Sequence, residues 1–170
     1  MASARMGEMV VSRDPNEELV ALGLGSCIGL AILDRAAGVA GLAHIVLPES
    51  SDRADQVGKC ADTAVPELIA RMRRAGATER RFETAIVGGA RMFEVSSGLD
   101  IGARNEAAVR AALSRARIPI DAAQTGGRSG RTMKVDVGEM LVTVREAGRQ
   151  AETLLEGRAG RVAAGAGAAR

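Results

Sequence analysis

Two stretches of the 170-residue chain, CIGLAILD (27–34) and TAIVGGA (84–90), are apolar on both of their alternating faces. A strand of this kind has no side to give to water, so each face of its sheet must be covered. Helices laid against a mixed, mainly antiparallel sheet meet that requirement. The expected class is therefore α/β, a single-domain α/β/α layered sandwich.

The surrounding segments agree. RMGEMVVS (5–12), EELVALG (17–23) and GVAGLAHIVLP (38–48) read as strands, divided by the turn clusters RDPN and RAAG. The stretch 54–77 places Val65, Leu68, Ile69 and Met72 at helical spacing, with an arginine-rich end and Gly76 as its stop. Pro66 lies inside this run, and the helix is expected to begin or bend near it. NEAAVRAALSRAR (105–117) is a second amphipathic helix, and PIDAAQTGG, RTMKVDV and EMLVTVREA supply further strands. The domain is expected over 1–150. Residues 151–170 form a C-terminal tail, disordered from Gly157 onward, where GRAGRVAAGAGAAR has no apolar face to bury.

Composition excludes several function classes. The aromatic residues are Phe82 and Phe93 alone, so the core is built from small aliphatic side chains. The 23 basic and 21 acidic residues are spread along the chain, with neither a basic block nor a stacking set, which argues against nucleic-acid binding. The start, MASARMGEMVVS, lacks a secretory h-region, and no apolar run approaches the ~20 residues of a membrane span. A cytoplasmic protein without membrane insertion is expected. Cys27 and Cys60 are then free thiols, and with His44 the only histidine there are too few soft ligands for a zinc site.

Cys27 and His44 lie in consecutive strand-like segments that are expected to pair as an antiparallel hairpin. If the hairpin closes with Leu33 opposite Gly38 around a four-residue loop, Cys27 faces His44 directly. Opposed residues project to one side of a sheet with Cβ atoms ~4.5–5.5 Å apart, whereas a one-residue slip would separate them onto opposite faces. An imidazole so placed takes the thiol proton, and the thiolate attacks a carbonyl carbon. Gly23 and Gly25 would let the backbone bend and a substrate approach, while main-chain N–H groups around Ser26 and Cys27 would meet the developing oxyanion. The structural alternative is a buried cysteine filler and a hydrogen-bonded core histidine. The spacing Gly23, Gly25, Gly29 also echoes a dinucleotide-binding turn, but that turn needs a helix after the glycines and a strand follows here.

Taken in order, LGLGSCIGLAILD, GLAHIVLP, IVGGARMF, IGARN and GGRSGR resemble the CheD family, the chemoreceptor glutamine deamidases of bacterial and archaeal chemotaxis, over residues 5 to 147. The specific part is GSC followed 17 residues later by the histidine of H…LP. The resemblance implies a layered fold related to the catalytic domain of cytotoxic necrotizing factor toxins, and no metal or organic cofactor. It makes Cys27 the nucleophile and His44 its base. The substrates it implies are glutamines on the cytoplasmic methylation helices of chemoreceptors, and the phosphatase CheC is an implied partner. One departure is Ala21, where the family commonly carries a catalytic threonine six residues before the cysteine. A second is Cys60, where the family tends to carry an aromatic residue; it reads as structural. GGARMF and Asn105 of IGARN either line the site or shape turns and a helix start. Ala21 motivates a rival reading, a receptor- or CheC-binding adaptor with weak or no catalysis. A third is an amidase or esterase acting on another protein.

Overall fold

A computed structural model describes residues 1–50, 56–92 and 100–156. Among these residues ten strands form two five-stranded sheets. β1 (Ala2–Ser3), β3 (Glu18–Leu24), β8 (Arg131–Asp136), β9 (Leu141–Glu146) and β10 (Glu152–Leu155) make the first, in that order. The second runs β2 (Met9–Ser12), β5 (Val39–Ile45), β4 (Ile28–Asp34), β6 (Glu83–Gly88) and β7 (Ala122–Thr125). Pairing is antiparallel except between β1 and β3 and between β6 and β7.

All seven residues of β4 and all seven of β5 are buried, as their two-sided apolar pattern requires. Ile28, Leu30 and Ile32 of β4, with Val39, Ala43 and Ile45 of β5, meet two helices, α1 (Ala61–Arg74) and α2 (Ile101–Arg115). On the other side Ala31, Leu33, Ala40 and Leu42 meet Leu19, Ala21, Met133, Val135, Val142 and Val144 of the first sheet. The α/β class and the mainly antiparallel pairing are as expected. The layering differs, because the second cover over β4 and β5 is a sheet and not another layer of helices. The alternating burial of β8 and β9 explains this: each has one apolar face, which a single neighbouring layer satisfies.

The helices follow their sequence signals with shifted ends. α1 buries Ala61, Ala64, Val65, Leu68, Ile69 and Met72, and Arg71, Arg73 and Arg74 close its last turn, where they favour the carbonyl end of the dipole. Pro66 neither begins nor ends it: α1 starts five residues earlier, where the Ala61 N–H bonds the Leu47 carbonyl at 2.9 Å. α2 starts four residues before Asn105 because the Asp100 carboxylate accepts the Ala103 N–H at 3.0 Å, a cap typically worth ~1 kcal/mol. The sheet extends past residue 150, since Glu152 and Thr153 of β10 pair with β9 and Leu155 is buried. Glu152–Leu155 therefore belongs to the domain and not to the tail. The tail from Gly157 and Phe93 of GGARMF lie outside the described residues.

Candidate active site

The β4–β5 hairpin joins the segments carrying Cys27 and His44, and its register departs from the expected one. Leu33 pairs with Ala40 and Asp34 with Val39, so the four-residue turn is 35–38. The cause is Asp34. Its buried carboxylate accepts the Ala37 N–H at 3.2 Å and the Thr78 N–H at 2.8 Å, and takes two bonds from the Arg81 guanidinium. That anchors Asp34 as the last strand residue, and Gly38, at φ +62°, belongs to the turn. His44 is consequently opposite Gly29. Cys27 is two positions along, directly before the first paired residue, Ile28. A displacement of two preserves parity, so Cys27 and His44 still project to the same face, toward the first sheet, as diagonal neighbours ~7–8 Å apart at the backbone.

His44 is 2 % exposed. Its Nδ1 lies 3.3 Å from the Ala4 carbonyl oxygen. A carbonyl can only accept, so this bond places the ring proton on Nδ1 and leaves a lone pair on Nε2. Nε2 is buried and has no hydrogen-bond partner among the described residues. Burial lowers the imidazole pKa, outweighing the opposing effect of the Ala4 bond, so the ring rests neutral. Ala4 is held by its own N–H to the Val20 carbonyl at 2.9 Å, beside the β1–β3 pairing.

Cys27 is 8 % exposed, and burial raises its thiol pKa more than its own main-chain N–H lowers it. Both shifts favour the neutral form, a thiol at Cys27 and an imidazole at His44. The space directly opposite His44 is open because Gly29 has no side chain, and Leu24 and Met133 fill it: a Cβ at Gly29 would sit 2.7 Å from Leu24 Cδ1 and 3.1 Å from the Met133 sulfur.

The loop before the thiol is tied from several sides. The Gly25 N–H bonds the Gly23 carbonyl at 2.9 Å, so it is not a free oxyanion donor, and Met92 lies over Gly25. The Gly89 N–H bonds the Cys27 carbonyl at 2.9 Å, and the Ala90 N–H bonds the Gly25 carbonyl at 2.8 Å. Gly88, at φ +115°, lies so close under the Cys27 carbonyl that any Cβ there would collide with it. The glycine pair of IVGGARMF thus holds the Cys27 loop. Asn105 donates from Nδ2 to the Ser26 carbonyl and to the Val46 carbonyl, each at 2.9 Å. Ala21 is fully buried in the same core cluster as Cys27. Cys60 is buried at the start of α1, where its backbone bridges to Leu47. Ala4 escaped the sequence reading because it acts through a main-chain carbonyl, which no residue type marks.

Among known proteins, the family model described as CheD chemotactic sensory transduction matches residues 46–146. The chemoreceptor glutamine deamidase CheD of Thermotoga maritima is 41 % identical over 149 residues, covering 86 % of this chain and 94 % of the relative. The chain belongs to the CheD family. A probable chemoreceptor glutamine deamidase CheD of Symbiobacterium thermophilum is 42 % identical over 146 residues, covering 81 % of the chain and 88 % of that protein. The family model begins two residues after His44, whereas an alignment spanning 86 % of the chain necessarily includes both Cys27 and His44. The solved structure of Bacillus licheniformis hypothetical protein YfiH superposes on 71 % of the chain and 49 % of its own length, at 14 % identity and a TM-score of 0.44. Among the described residues, no group of three or more His, Cys, Asp or Glu is placed to hold a metal ion, and no helix is long and apolar enough to cross a membrane.

Proposed function

We propose that this chain is a protein-glutamine deamidase of chemotaxis, with Cys27 as nucleophile and His44 as general base, acting on glutamine side chains of chemoreceptors. The observation that carries the mechanism is the partnerless, buried Nε2 of His44, its ring oriented by the Ala4 carbonyl, on the sheet face that Cys27 shares. The substrate class follows from the CheD relatives, which are named for it.

Because thiol and imidazole both rest neutral, the proton moves during attack and not before it. The Cys27 sulfur bonds the glutamine Cδ as its proton passes to His44 Nε2. The tetrahedral intermediate then collapses as the imidazolium returns that proton to the departing nitrogen, which leaves as ammonia. Water attacks the resulting thioester, giving a proton to Nε2. Cleavage of the C–S bond leaves glutamate and restores the thiol. The oxyanion falls beside the main-chain N–H groups of Ser26 and Cys27. Each turnover turns a neutral side chain into an anionic one, which changes repulsion between neighbouring receptor helices.

The test is incubation with a glutamine-bearing receptor fragment. Ammonia release with a mass gain of about one unit at the target glutamine, absent in Cys27→Ala, is expected of this reaction class. Equal inactivity of wild type and Cys27→Ala, with both still binding the fragment, overturns the enzyme and leaves an adaptor.

A further inference from the structure

The ladder between β4 and β5 ends one position short of Cys27. Ile28 pairs with Ile45, and beyond it the two strands part: the Val46 and Leu47 N–H groups both turn to the Lys59 carbonyl, at 2.9 and 3.1 Å, while the Cys27 carbonyl is taken by Gly89. The nucleophile therefore sits at a fork, where no rung between the strands sets its position relative to His44. Asn105 spans that fork. It is the fifth residue of α2, fully buried, and the two N–H bonds of its single Nδ2 reach the Ser26 carbonyl on one side and the Val46 carbonyl on the other.

We propose that Asn105 is a positioning residue whose carboxamide replaces the missing rung and holds Cys27 at the separation from His44 that proton transfer requires. The proposal rests on the Cys27–His44 reading. A carboxamide suits the task because it offers two donors from one neutral planar nitrogen, whereas a hydroxyl offers one and a carboxylate none. Its other end points the same way: Asn105 Oδ1 is buried without a partner among the described residues, a costly state that an apolar residue packed between β4 and α2 would avoid. The arrangement also makes the seating of α2 on the sheet a determinant of the geometry at the thiol.

The experiment follows Cys27 alkylation by iodoacetamide against pH, mapped by peptide mass so that Cys60 is scored separately, together with kcat and KM for deamidation. Wild type, His44→Ala, Asn105→Ala and Val109→Ala are compared; Val109 is a fully buried residue on the same helix without a polar role. Asn105→Ala is expected to shift the alkylation profile toward that of His44→Ala and to lower kcat on the order of 100-fold, the cost of misplacing a reacting group by about 1 Å, at unchanged KM. Val109→Ala is expected to keep the wild-type profile at comparable thermal stability. Should Asn105→Ala not fold, Asn105→Ser, which keeps one donor, is expected to give an intermediate loss. If His44→Ala alters the profile and the Asn105 variants match Val109→Ala, the positioning role is overturned and the dyad stands. If His44→Ala leaves the profile of wild type, the dyad and this proposal fall together.

Discussion

Gly29, not Cys27, lies opposite His44 in the β4–β5 ladder. Cys27 lies on a diagonal from His44, past a position where the lack of a side chain admits Leu24 and Met133. Burial of the imidazole lowers its pKa and keeps it neutral. Gly29→Ala would push a methyl into both. The expected outcome is a loss of about 1–3 kcal/mol, read by thermal or denaturant unfolding, with lowered activity at the displaced ring.

The pH dependence follows from the direction of the His44 shift. His44 titrates below the ordinary imidazole value of 6.5, so it remains a competent base on the acid side of neutrality, and activity is lost only as the pH falls through that lowered value. The acid limb of kcat/KM is therefore expected below 6.5. The same shift affects folding, since the unfolded chain takes up the proton first and stability declines as the pH drops below 6.5. Rate profiles and urea titrations across this range check both.

Removing residues 2–4 deletes β1 and the Ala4 N–H bond to Val20, and so frees the carbonyl position that fixes the His44 tautomer. A fall in kcat of roughly tenfold is expected, a part of the ~10²–10⁴-fold that a positioned acid–base group contributes. Ala4→Gly keeps the carbonyl and is expected to keep most of the activity. Loss of activity in Ala4→Gly equal to that of the truncation would assign the effect to packing of the Ala4 methyl.

Ala21→Thr adds a hydroxyl in a fully buried site whose cross-strand neighbour is Met133. Nδ1 of His44 already has its acceptor in Ala4, so no gain in kcat is expected, and the added atoms should cost about 1–3 kcal/mol. A rise in kcat would show that the hydroxyl does something the Ala4 carbonyl does not.

Asp34 fixes the hairpin register, and its acid sensitivity can be read directly. Burial alone would raise its pKa, but the Arg81 guanidinium and the Thr78 and Ala37 N–H groups together hold it below 3.8. The stability it adds is present above that value and is lost as the pH falls through the lowered one. Asp34→Asn is expected to cost about 1–3 kcal/mol at neutral pH and to flatten this part of the acid unfolding curve.

What the sequence by itself determined is local in origin. The two-sided apolar pattern of CIGLAILD and TAIVGGA demanded covered strands, and the period of two put Cys27 and His44 on one face for every hairpin register of the same parity as the expected one. Even a register displaced by two leaves that conclusion intact. Only the tertiary structure decided the rest: that a second sheet covers β4 and β5, that Asp34 moves the turn by one residue, and that the Ala4 carbonyl and the Asn105 carboxamide reach the site from 40 and 79 residues away in sequence. Those contacts join main-chain atoms to distant elements, and neither hydrophobic period nor residue type encodes which carbonyl a folded chain will bring to an imidazole.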